Sequence, residues 1–274
     1  ICACLVGSEM CIRDRLYTKR KTINMNQLER FNPMFLNILL PVYNEEKRLQ
    51  HGVIGTIDYL QSIGFSDYIV TIVDNGSTDK TSVIAKELEK TYDNVNYLQL
   101  SEKGVGIAFK KGVEHNDCEI VGYMDIDLST DVHHLKDVIT IFKSHPEIDM
   151  INGSRLNKKS DTNGRKWYRN ITSHGLTFML KIFLKLKASD SICGFKFFRK
   201  EVIEKLITQT SHNNGWFYVI EILLRAEKQN YTIYEMPVRW TDDYNTTVHV
   251  FKLIRNYVSN IFRLRKLFKK EHLL

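Results

Sequence analysis

An α/β fold, with a mostly parallel central sheet and helices on both faces, is what this 274-residue sequence predicts. From residue 36 to about 152, short apolar runs alternate with longer amphipathic stretches, the order of elements that builds parallel sheets. The chain is 43% hydrophobic and large enough to bury most of its apolar surface. No run of about 18 uncharged apolar residues is present, so no spanning helix is predicted.

Taken in order, LNILLPVY (36–43) reads as a buried strand, and residues 45–64 as a helix closing on Gly64. YIVTIVD (68–74) is the second strand, followed by a helix that Ser77 or Thr78 would cap, with Asp79 near its start. Residues 95–100 form a third strand, a Gly-started helix runs from Val105, and residues 119–127 form a fourth strand. A helix over 131–144 and a fifth strand at IDMINGS follow. Beyond residue 155 the alternation weakens. A basic helix is expected over 165–187, a strand at SICGFKFFR, a helix around 214–229 and a strand at YTIYEMPVRW. In the tail, 248–270, Val250, Ile254, Tyr257, Ile261, Leu264 and Phe268 recur at helical spacing.

The stretch ICACLVGSEMCIRDRLY (1–17) shows neither period and does not read as a signal peptide. The string CLVGSEMCIRDR resembles translated adapter sequence, so 1–24 is read as a non-native or disordered leader and Met25 as the natural start. The expected organisation is then a domain over 25–245 and a basic amphipathic helix over 246–274. Only Cys118 and Cys193 remain outside the leader, too few for a disulfide framework, which implies a reducing, cytoplasmic compartment.

The net charge is +7, and its distribution says more than its sum. Residues 164–187 carry six Lys/Arg and no acid, and residues 249–274 carry seven against one Glu. An acidic body with two basic segments points to two places that meet anions. No aromatic-interleaved basic motif appears, so nucleic acid is not expected, and membrane phosphate is the better reading. The tail could lie in a headgroup layer, with Phe251, Ile254, Val258, Ile261, Phe262 and Phe268 opposite Lys252, Arg255, Arg263, Arg265 and Lys266. Docking of that helix on the domain itself is the alternative.

Ligands of such sheets bind at the carboxyl ends of the strands. Three polar clusters fall there: Pro41–Glu46, Asp74–Asp79 and Asp125-Ile126-Asp127. Any one could be turn chemistry. Together, Asp125 and Asp127 offer two hard carboxylates to Mg²⁺ or Mn²⁺, which would also hold a diphosphate. Gly104 and Gly106 do not make a dinucleotide fingerprint, because its third glycine would fall at Phe109. His133 and His134 follow the acidic pair in the next helix's first turn and read as structural.

The stretches LPVYNEEKRL, IVDNGSTDKT, EKGVGIAFKKG, YMDIDLST, INGSR, SDSICGFKFFRKEV and IYEMPVRW resemble the family 2 glycosyltransferases of GT-A fold. Within that family the resemblance is to the polyprenyl-phosphate branch, nearest its dolichyl-phosphate glucosyltransferases. It implies that Pro41, Tyr43 and Glu45 cradle a nucleoside, that Asp74 meets the base or ribose, and that Asp125 and Asp127 hold a metal on the donor diphosphate. Lys103 would pair with donor phosphate, while Arg155, Arg169 and Ser173 would meet the acceptor phosphate. Asn75 and Ser129 depart from the usual Asp and Gln. The implied reaction is inverting transfer of a hexose, from UDP-glucose first and GDP-mannose next, to a polyprenyl phosphate at the cytoplasmic face of a membrane. Transfer to a saccharide hydroxyl, with Glu221 as base, and a catalytically silent nucleotide-sugar binder stay open. Oligomeric state is not legible.

Overall fold

A computed structural model describes residues 34–162, 167–211, 215–241 and 250–274, without the side chains of 167–170 and 250–254. The expectation for residues 1–24 lies outside the described residues. Among the described residues there are seven strands and eight helices, alternating at first: β1 (Leu36–Val42), α1 (Leu49–Ser62), β2 (Tyr68–Asp74), α2 (Thr81–Thr91), β3 (Val95–Gln99), α3 (Val105–Glu114), β4 (Ile120–Met124), α4 (His134–Ser144) and β5 (Met150–Ser154). Then come α5 (Trp167–Leu184), β6 (Phe195–Arg199), α6 (Lys200–Gln209), α7 (Phe217–Lys228), β7 (Ile233–Pro237) and α8 (Val250–Lys270). All of them belong to one unit, Pro33–Leu274.

The strands form one sheet in the order β3-β2-β1-β4-β6-β5-β7. Every pairing is parallel except those of β6, which runs antiparallel to β4 and β5. Pleating sends alternate side chains to two cores. Leu36, Ile38, Leu40 and Val42 of β1 join the layer containing α1 and α4, whereas Leu39 joins Phe109, Phe198 and the C-terminal helices.

The parallel start of β1, β2 and β4 is the expected one, and it brings their carboxyl ends to the same edge. Boundaries differ where polar side chains take over. α1 begins at Leu49 because the amides of Arg48 and Leu49 bond back to the Glu45 carbonyl in a turn. It ends as expected at Gly64 (φ +69°), with Phe65 N donating to the Leu60 carbonyl and Gly64 N to Gln61. Strand β4 stops at Met124, since the chain turns through Asp125, whose carbonyl accepts from Leu128 N, with Leu128 at φ +54°. Neither Ser77 nor Thr78 caps α2: that helix starts at Thr81, whose amide donates to Asp79. Helix α6 follows β6 without a break and has no counterpart in the sequence reading.

Helix α8 corrects the expectation that its apolar side faces lipid. Tyr257, Ile261, Leu264 and Phe268 are buried in the second core, against α5 and α7. Glu271 then clamps the end of the chain, accepting from Arg225 Nη1 at 2.8 Å. Among the described side chains of α8, Phe262 is the large apolar residue left outside, half exposed.

Candidate active site

The first two polar clusters are zipped together by their own side chains. Asn44, at φ +56°, donates its amide to the Ser77 hydroxyl at 2.9 Å and accepts from Thr78 N at 2.8 Å. Glu45 N donates to Thr81 Oγ1, Glu46 N to Asp79, and Lys80 N to the Glu46 carboxylate. The residues that read as a helix cap are thus spent on tying β1's exit to β2's exit, which adjacent parallel strands in register Val42↔Asp74 make possible.

Asp74 is fully buried and both carboxylate oxygens are engaged: Oδ1 accepts from Ser77 N at 2.8 Å, and Oδ2 from the Tyr97 hydroxyl at 2.9 Å. Burial, with Asp74 beside it, raises the Tyr97 phenol, so this oxygen remains a donor. Asn75 is buried as well, and its Oδ1 has no partner among the described residues. Pro41 lies within β1. Tyr43 is exposed, and Lys103 places its ammonium 3.5 Å from the centre of the Tyr43 ring. Glu45 is held in a two-pronged ion pair by Arg48, at 2.7 and 2.8 Å, and Arg48 Nη1 lies 4.0 Å from Asp127. Arg48, unassigned by the sequence, therefore links the first cluster to the third.

Asp127 accepts from Ser129 N at 3.0 Å. The Asp125 carboxyl is pushed up to about 7, by burial first and the Asp127 charge second, with Arg155 and Lys196 acting the other way. Gly194 opens the space for that carboxyl: a β-carbon there would lie 2.2 Å from Asp125 Oδ2. Two carboxylates that repel each other, one of them (Asp125) seated in a volume a methyl group would fill, suit a hard divalent cation. No group of three or more His, Cys, Asp or Glu among the described residues could hold a metal, so its other ligands would come from a bound diphosphate or water.

Beneath this lies a buried charge set. Arg155 grips Asp190 through Nε (2.8 Å) and Nη2 (3.1 Å), and its backbone amide donates to the same carboxylate. Burial would raise the Asp190 carboxyl, but the Arg155 guanidinium overcomes this and holds it well below the usual range. Lys196 is wholly buried, donates to the Cys193 carbonyl at 2.8 Å, and has its ammonium pulled down by burial. Arg155 also lies 5.4 Å from the Trp240 ring. Trp240 reaches this position because residues 239–241 are stitched to the turn after Asp127. Thr241 N donates to Ser129 O, Asp131 N to Arg239 O, and Arg239 N to His134 Nε2. His133 pairs with Asp131 and packs its ring, tilted by 58°, against Tyr59, so both histidines serve as staples.

Ser173 is buried on α5, one turn after Arg169, whose side chain lies outside the described residues. Glu221 is closed off. It has no exposed surface and accepts from Ser211 N (2.9 Å), the Ser211 hydroxyl and Arg225 Nε (3.0 Å).

The model of the family described as glycosyl transferase family 2 matches residues 37–207, well over half of the chain. The chain belongs to glycosyl transferase family 2. Among curated relatives, the glycosyltransferase AglD of Haloferax volcanii is 29% identical over 231 residues, covering 83% of this chain and 36% of that protein. The dolichyl-phosphate beta-glucosyltransferase ALG5A of Trichomonas vaginalis is 30% identical over 223 residues, covering 77% and 68%. Its relative ALG5D is 25% identical over 231 residues, covering 81% and 70%. This chain thus spans about a third of the first relative's length. Glucosyl-3-phosphoglycerate synthase of Mycobacterium tuberculosis, crystallised with Mn²⁺, UDP and phosphoglyceric acid, superposes with TM-score 0.63 at 15% identity, covering 85% of this chain and 78% of that one. That likeness shows the fold, GT-A.

In this family 2 glycosyltransferase the sequence marked Asp74, Asp125 and Asp127 but missed what surrounds them: Arg48, Tyr97, Asp190, Gly194 and Lys196. Asp190 and Gly194 sit inside the quoted stretch SDSICGFKFFRKEV, whose acid and glycine were the available signal. Tyr97 had none, because one tyrosine on a half-buried strand looks like packing.

Proposed function

We propose that this enzyme transfers a hexose, with inversion, from a nucleotide diphosphate donor to a polyprenyl phosphate at the cytoplasmic face of a membrane. UDP-glucose is the favoured donor and GDP-mannose the next. Relatives named as dolichyl-phosphate glucosyltransferases support the acceptor and the sugar, and a fold relative crystallised with Mn²⁺ and UDP supports the donor class.

The observation that carries the lipid acceptor is α5. Arg169 and Ser173, the proposed phosphate residues, stand at its start, while its outer side exposes Ile171 (61%), Phe178 (63%) and Ile182 (57%) near Lys181, with the exposed Lys185 just past its end. Phe262 and Arg265 of α8 adjoin it through Phe183. Apolar side chains left in water beside cations suit an anionic lipid surface, and a phosphate site on the same helix suits an acceptor anchored there. No helix among the described residues is long and apolar enough to cross a membrane.

In this reading Pro41, Tyr43 and Glu45 bound the nucleoside, and Asp74, buried and held by Ser77 and Tyr97, stands behind the base or ribose and shapes the loop that meets it. Asn75 Oδ1 offers an acceptor there. Asp125 and Asp127 would hold Mg²⁺ or Mn²⁺, which when bound supplies charge neutralisation to the departing diphosphate. Lys103 adds a cation on the donor side. A phosphate monoester is anionic near neutral pH and attacks the anomeric carbon directly. A carbon–oxygen bond to the acceptor forms as the bond to the diphosphate breaks, and the electron pair leaves with the diphosphate. No protein base is required, and Glu221, the base considered for a hydroxyl acceptor, has no open side from which to act. Arg169 and Ser173 orient the acceptor phosphate. Arg155, committed to Asp190, contributes its field to that site, which sets near-attack geometry and charge as the sources of rate.

The test is transfer of labelled glucose or mannose from UDP-glucose or GDP-mannose to polyprenyl phosphate by the full chain with Mn²⁺ or Mg²⁺. Label in the lipid fraction, lost on chelation, is expected. Metal-dependent donor hydrolysis without lipid label would overturn the acceptor. For the surface, replacing Phe178 and Ile182 together by Asp should reduce the partition coefficient onto anionic vesicles, read by co-sedimentation, at least about a hundred-fold, because each buried side chain of this size contributes about 1.5–3 kcal/mol and about 1.4 kcal/mol is a factor of ten. Unchanged sedimentation would remove α5 from the membrane contact.

A further inference from the structure

Two glycines from separate elements press on the Asp125–Asp127 turn. A β-carbon on Gly194, just before β6, would lie 2.2 Å from Asp125 Oδ2 and 2.5 Å from both Cγ and Oδ1. A β-carbon on Gly52, in α1, would lie 2.1 Å from the Ile126 carbonyl oxygen and 2.7 Å from Ile126 Cδ1. Neither glycine has a left-handed backbone, so conformation does not call for glycine at either place. Space does. The pairing Met124↔Phe195 in the antiparallel β4–β6 ladder brings Gly194 opposite the residue where β4 ends and Asp125 begins.

Asp125 differs from its neighbours in how it is oriented. Asp74 and Asp127 have their carboxylates fixed by backbone amides. No described residue donates a hydrogen bond to either oxygen of Asp125, so the walls around it decide its rotamer. One of those walls is the bare α-carbon of Gly194.

We propose that Gly194 is a positioning residue for the metal-holding carboxylate: its missing side chain seats Asp125, while Gly52 seats the backbone of the same turn against α1. This rests on the reading of Asp125 as a metal ligand. The two positions differ in what a methyl group would meet. At Gly194 it meets the far end of a side chain, which can rotate away while the fold stays. At Gly52 it meets backbone, which cannot give without moving the turn.

Gly194→Ala is therefore the informative variant. By isothermal titration of Mn²⁺ into the full chain with UDP present, its affinity should fall at least about ten-fold, the scale on which misplaced supports of metal ligands act. A double-variant cycle reads the contact itself: Gly194→Ala should lower Tm in the wild-type background and do so less in Asp125→Ala, where the methyl has room. Wild-type Mn²⁺ affinity in Gly194→Ala, or the same Tm change in both backgrounds, would overturn the proposal. If Gly194→Ala alone does not fold, adding Asp125→Ala must restore folding, and a double variant that still fails to fold overturns the proposal. If Asp125→Ala itself binds Mn²⁺ as wild type does, the metal reading fails, and this proposal falls with it.

Discussion

Asp127→Asn should reduce transfer by on the order of 10³-fold, about 4 kcal/mol of transition-state stabilisation. The fold should not notice, because the Asn amide oxygen can still accept from Ser129 N and the volume is unchanged. What disappears is one unit of negative charge beside Asp125. The lost attraction to Arg48, at 4.0 Å and partly exposed, is worth little. A Tm within about 2 °C of wild type, together with that rate loss, would assign the effect to chemistry rather than stability. Turnover close to wild type would take the carboxylate pair out of the reaction.

Asp190→Asn should destabilise the protein at pH 7 by about 3–5 kcal/mol, because it leaves the buried Arg155 guanidinium without its counter-charge. The pH dependence has a definite sign. Arg155 holds the folded-state Asp190 carboxyl below its unfolded value, so the stability it contributes is complete above about pH 4. That contribution is lost as pH falls through the folded-state value. Denaturant melts of wild type and variant should differ most near neutrality and converge in acid. A constant difference down to pH 3 would show that the pair does not act through its charge. The same variant tests whether Arg155 depends on Asp190 for its place beside Trp240: transfer should fall with KM for the acceptor raised.

These two acids illustrate how the sequence and the fold divide the information. Asp127 was legible because it follows a uniformly apolar strand and stands two positions from another acid. Spacing along one strand end is a local property. Asp190 was not, because its partner lies 35 residues away and meets it only when β6 reverses direction between β4 and β5. A five-residue strand reads the same in either direction, so no pattern in FKFFR announces antiparallel pairing. Helix α6 was missed for a related reason: it starts at Lys200 directly after β6, with neither glycine nor proline to mark the change.

The amphipathic helices make the same point. In α8 the period of Tyr257, Ile261, Leu264 and Phe268 established a helix with an apolar side. Whether protein or lipid would cover that side is decided by what lies opposite, and α5 and α7 lie there. In α5 the exposed apolar residues Ile171, Phe178 and Ile182 were hidden among equally apolar buried ones. Glu221, the sequence's candidate base for a hydroxyl acceptor, is closed in by Ser211 and by Arg225 one turn further along the same helix.

The sequence by itself determined the order of β-strands and helices through β5, the Gly64 helix stop, the sheet edge that gathers the three polar clusters and the acidic pair among them. All of these follow from periodicity and turn chemistry within a dozen residues. Only the tertiary structure decided the reversal of β6, the charge pairing under the site, the inward face of α8 and the seat that Gly194 makes for Asp125. Each of those depends on which atoms distant segments bring within a few ångströms, and steric and electrostatic forces act at that range whatever the separation along the chain.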